Sequence, residues 1–75
     1  MNCNEAMKIA REIFDDTERR LPEFWSRRNL PAIQRISGVR RILYRIEDVA
    51  MFGGATEDWV RRRLRTAAGA MLRLS

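Results

Sequence analysis

Apolar residues follow a helical period over the first part of the chain. Ala6, Ile9, Ala10, Ile13 and Phe14 fall at i, i+3, i+4, i+7 and i+8, with Lys8, Arg11 and Glu12 between them. The stripe predicts a helix over 2–14. Asn2 is its expected cap, and Glu5 sits three residues on, as in a capping box. Asp15-Asp16-Thr17 reads as a break. A second helix is expected over 17–29, with a short segment at 17–20 and its main part from about 21 to 28. Pro22 suits a first turn and not a helix interior. Leu21, Phe24 and Trp25 supply its buried side.

Beyond Leu30-Pro31 the pattern changes. The residue before a proline favours extended backbone, so the second helix is expected to end there. Ala32 to Ile36 and Val39 to Ile46 then read as two strands around a Ser37-Gly38 turn. Ile42, Tyr44 and Ile46 alternate with Leu43 and Arg45, the period of a half-buried strand. Glu47-Asp48 opens a short helix through Val49, Ala50 and Phe52, and Gly53-Gly54 stops it. Thr56 caps a last helix over about 57–70. Val60, Leu64, Ala67, Ala68 and Met71 form its apolar stripe. Leu72 to Ser75 reads as a frayed end or a short edge strand.

Composition bounds what such a chain does. Its 75 residues make one domain with a small core, which self-association or a partner would support. Cys3 is the single cysteine and histidine is absent, so neither an internal disulfide nor a zinc site is expected. Asp15-Asp16 and Glu47-Asp48 sit at helix boundaries, where capping explains them. Gly53-Gly54 lacks the rest of a phosphate-cradling loop. Catalysis, a cofactor and a small-molecule ligand are therefore not expected. No apolar run approaches a signal core or a membrane span, which makes a cytoplasmic protein the expectation.

Charge is the informative property. Fourteen of the fifteen cations are arginine, and the net charge is +5. Residues 1–18 hold two cations and five anions, a net of −3. Residues 19–45 hold eight arginines and one anion, a net of +7, and residues 46–75 hold five arginines and four anions, a net of +1. Arginine presents a planar fork of donors that fits phosphate or the edge of guanine. A segregated arginine-rich segment therefore suits a chain with one nucleic-acid face.

The stretch Phe24 to Phe52, FWSRRNLPAIQRISGVRRILYRIEDVAMF, resembles the winged-helix domain of excisionases and MerR-type regulators. Arg28-Asn29-Leu30-Pro31-Ala32 is similar to the step that ends that family's recognition helix. Arg45-Ile46-Glu47-Asp48-Val49 is similar to the helix start after its wing. The family's usual glycine-containing turn between its first two helices is replaced by Phe14-Asp15-Asp16-Thr17. A second register also exists, since residues 44–66 resemble the first two helices of the same family.

The resemblance implies a mainly α fold with a small β-hairpin. This would be a single winged helix-turn-helix over 1–75, with a wing at about 32–46 and a C-terminal helix at about 56–70. It implies DNA contacts from Arg19, Arg20, Ser26, Arg27, Arg28 and Asn29 on the recognition segment, and from Arg35, Arg40, Arg41 and Arg45 on the wing. Arg61, Arg62, Arg63 and Arg65 form a possible second basic face. The implied role is that of an excisionase, binding attachment-site DNA in the bacterial nucleoid, associating along it and biasing an integrase towards excision. A small transcriptional regulator is the alternative on the same fold. A phage-type inhibitor or antitoxin acting on a protein partner is the alternative of another class.

Overall fold

A computed structural model describes residues 3–74, with Cys3 by its backbone alone. The described residues form three α-helices and no strand: α1 Cys3–Ser26, α2 Leu30–Met51 and α3 Glu57–Leu72. They pack as an antiparallel bundle measuring 40 × 17 × 16 Å, so the winged helix with a β-hairpin expected above is corrected to an all-helical fold. The cap assigned to Asn2 lies outside the described residues.

The first correction is at 15–17. α1 runs through Asp15-Asp16-Thr17 and through Pro22 without a break. The reason lies in the apolar stripe, which does not stop at Phe14. It continues through Thr17, Leu21 and Phe24 at spacings of three and four. Thr17 is 0 % exposed and fills a core position as a valine would. The two acids are simply its outward turn, where Asp16 pairs with Arg19 and Arg20.

The second correction is the expected hairpin at 32–46, all of which is α2. Ala32, Ile36, Val39, Leu43 and Ile46 are buried, at steps of four, three, four and three. A strand cannot place Leu43 and Ile46 on one face, because an odd step reverses the side. A helix does so, and it leaves Tyr44 55 % exposed. Gly38 lies inside this helix, and beyond the helix's own local backbone no atom comes within 4 Å of where a Cβ would stand. Nothing there forces a turn, and burial of the long stripe outweighs the glycine's weak helix propensity.

Both inter-helix turns have the same hydrogen-bond pattern. After α1, Arg28 N–H donates to Trp25 O at 3.0 Å and Asn29 N–H to Phe24 O at 2.9 Å, with Arg28 at φ +53°. After α2, Gly53 N–H donates to Ala50 O at 3.2 Å and Gly54 N–H to Val49 O at 3.0 Å, with Gly53 at φ +74°. These are Schellman caps, each needing one left-handed residue. Asn29 then caps α2, its Oδ1 accepting from Ala32 N–H at 3.3 Å, and Pro31 sits in the first turn, where it is tolerated. Thr56 Oγ1 caps α3 by accepting from Trp59 N–H at 3.2 Å.

Twelve apolar side chains from the three helices and Leu74 beyond α3 form one core, with Ile36, Val39 and Ile46 among the most completely enclosed. α1 and α2 are tied by Arg40 to Thr17 and by Phe14 to Tyr44. α1 and α3 are tied by Arg20, whose Nη1 donates to Met71 O at 3.3 Å.

Candidate nucleic-acid interface

The helix faces determine which arginines are available. On α2, the stripe Ile33, Ser37, Arg40, Tyr44 and Glu47 turns towards α1, as the Arg40 and Tyr44 contacts fix. The opposite flank, Arg35, Gly38, Ile42, Arg45 and Val49, therefore turns towards α3. On α3 the right-handed sense of the helix puts Trp59, Arg63, Thr66, Ala70 and Arg73 on the flank towards α2, with Arg62 at its outer edge. None of the residues on these two facing flanks is acidic, and Asp48 lies beside Arg45 near the end of α2. The α2–α3 seam is thus lined by Arg35, Arg45, Arg62, Arg63 and Arg73, all exposed.

None of those five forms an ion pair among the described residues. Arg63 lies over the Trp59 ring, 5.3 Å from its centroid, and keeps its donors at the surface. Charge on α1 is arranged differently. This helix holds four cations and six anions, a net of −2. Its acids Glu5, Glu12, Asp16 and Glu23 recur at helical spacing on the flank away from α2. The molecule is therefore electrostatically two-sided, with a seam of uncompensated guanidinium groups opposite a mixed, acid-rich helix.

The residues expected to touch DNA divide accordingly. Arg19 pairs with Asp16, Arg20 with Asp16 and the Met71 carbonyl, and Arg27 with Glu23 at 2.9 Å. Ser26 is the last residue of α1. Arg28 supplies the left-handed position of the first turn and Asn29 is a cap. Arg40 is an internal tie, its Nη2 bonded to Glu18 at 2.6 Å and its guanidinium 5.2 Å from the Phe14 centroid. Arg41 points outward from α2, and Arg61 pairs with Glu57 at 2.7 Å. Arg65 is exposed on α3 away from the seam. Arg35, Arg45, Arg62 and Arg63, assigned from sequence to separate wing and C-terminal faces, lie along one seam by helical spacing.

Arg73 was not among the expected contacts. The signal for it is its distance of eleven residues from Arg62, three helical turns, which places both on one face.

No protein-family model, curated protein or solved structure matches this chain. Among the described residues no cluster of acidic or thiol groups has the form of a metal site, and no helix is long and apolar enough to cross a membrane.

Proposed function

We propose that this protein binds double-stranded DNA through the α2–α3 seam, by contacts to phosphate. The observation that carries the reading is the set of five exposed seam arginines, none of which forms an ion pair among the described residues, with Asp48 beside Arg45 as the acid at one end. Arg35 and Arg45 are ten residues apart, about 15 Å along α2. That length matches roughly four base pairs at about 3.4 Å each. Arg63 and Arg73, the C-cap residue that follows α3, are also ten residues apart. Two parallel rows of guanidinium groups at that scale suit the backbones flanking a groove. Phosphate contacts of this kind position a protein on a duplex without reading its bases.

An excisionase role is the narrower form of the same proposal. It would have to be performed by helices alone, with specificity for attachment-site DNA added to backbone binding. Titration of a labelled random-sequence duplex at stepped salt tests the broad reading. About five phosphate contacts predict a slope of roughly −4 to −5 in log affinity against log salt. Absence of binding at about 50 mM salt contradicts it, because a phosphate-gripping surface binds most strongly there. Preference for attachment-site over random DNA, with increased excision by a cognate integrase, would support the narrower form.

A further inference from the structure

We infer that Phe52 is a wedge that enters the base stack of DNA held on the α2–α3 seam. The inference rests on the proposed DNA reading and deepens it. Phe52 is the most exposed large apolar residue among the described residues, at 85 %. It is the C-cap of α2, and the Schellman bonds of Gly53 and Gly54 fix the backbone behind it. No side chain follows it at 53 or 54, so its ring stands clear on that side. An exposed phenylalanine held by an ordered backbone is presented at little conformational cost.

Its placement distinguishes it from the other exposed apolar residues. Phe52 lines a surface depression with Arg45, Asp48, Val49 and Gly54, at the end of the seam. Trp25 lines a depression between α1 and α2 with Leu21, Ile33 and Arg40, away from the seam. Met51, 71 % exposed, follows Tyr44 and Glu47 on the α1 side of α2 by helical spacing. Of these two depressions, the one lined by Phe52 holds a seam arginine. Apolar wedges beside arginines are the means by which groove-binding proteins partly unstack a base step and kink the duplex. Asp48 repels phosphate from the mouth of the depression, so the backbone is held at Arg45 and Arg35 while the ring meets the bases.

The test uses the whole protein with a duplex carrying 2-aminopurine at each step in turn and a donor–acceptor pair at its ends. Wild-type protein is expected to raise 2-aminopurine fluorescence at one or two adjacent steps and to shorten the end-to-end distance. Phe52→Ala should keep salt-sensitive binding, weakened about three- to tenfold, and lose both optical changes. Phe52→Trp should restore them. Circular dichroism checks that the exposed position leaves the fold intact. If Phe52→Ala bends and unstacks the duplex as wild type does, or if wild type binds without either change, the wedge is wrong and the seam reading survives. Failure of wild type to bind any duplex overturns both. If Phe52→Ala instead converts a sedimenting dimer to monomer with DNA distortion unchanged, the ring serves a contact between copies and the wedge is overturned.

Discussion

Arg40 of α2 donates from Nε to the Thr17 Oγ1 of α1 at 3.2 Å, and Thr17 in turn donates to the Phe14 carbonyl at 2.6 Å. The threonine is fully buried and the arginine lies across Phe14 with its Nη2 on Glu18, so one side chain from α2 meets three residues of α1. Thr17→Val keeps the shape and removes the hydroxyl from this relay, at an expected cost of about 1 kcal/mol. For a domain of this size that lowers the melting temperature by roughly 4–8 °C. Arg40→Ala should destabilise at least as much, since it also loses the ring contact. Its affinity for duplex should stay close to that of the wild type. A variant that melts normally but binds weakly would return Arg40 to the DNA surface.

Gly38 separates the two folds considered for residues 32–46. In a hairpin it would be a turn residue, and alanine there would be destabilising. Within α2 it is an interior glycine with open space at its Cβ position. Gly38→Ala is therefore expected to raise stability by about 0.5–1 kcal/mol. Thermal melts read the sign directly, and destabilisation would argue against the helix.

The first turn stores strain at Arg28. A non-glycine residue at φ +53° costs about 1–2 kcal/mol relative to right-handed backbone. Arg28→Gly should recover about 1 kcal/mol, after allowance for glycine's greater freedom when unfolded. Chemical denaturation should show a higher midpoint with an unchanged slope.

Asn29 caps α2 through its Oδ1. Asn29→Asp preserves the accepting oxygen and should leave stability within about 0.5 kcal/mol. Asn29→Ala should cost about 1 kcal/mol. Equal losses in both variants would show that the amide group matters for something other than the cap.

Short local signals mislead where a longer pattern decides the structure. Ser37-Gly38 and Leu30-Pro31 each resemble a turn within four residues. Ala32 to Ile46 carries a helical stripe over fifteen, and its burial decides the structure. Pro31 was legible either as an end or as a beginning, and Asn29 before it makes it a beginning. Thr17 hid the continuity of α1, because a hydroxyl residue does not read as core until its acceptor is seen. The start of α3 and most of its buried face were legible from Thr56 and from Val60, Leu64, Ala67 and Met71, whereas Ala68 of the expected stripe is exposed. For the site, the bias towards arginine was visible, but its partition was not. Glu18 and Arg40 are twenty-two residues apart, and only the packing of α1 on α2 shows that they neutralise each other.

Salt dependence in paired variants tests the seam most directly. Arg35→Ala/Arg45→Ala and Arg19→Ala/Arg27→Ala each remove two positive charges, so the change in net charge is the same. The first pair lies on the seam, whereas Arg19 and Arg27 are already paired to Asp16 and Glu23 on α1. Removing the seam pair should weaken duplex binding and flatten the log–log salt slope by about 1.8, two phosphate contacts at roughly 0.9 each. Removing the α1 pair should leave the slope within about 0.5 of wild type. Equal flattening by both pairs, or a larger effect from the α1 pair, would contradict the assignment of DNA to the α2–α3 seam.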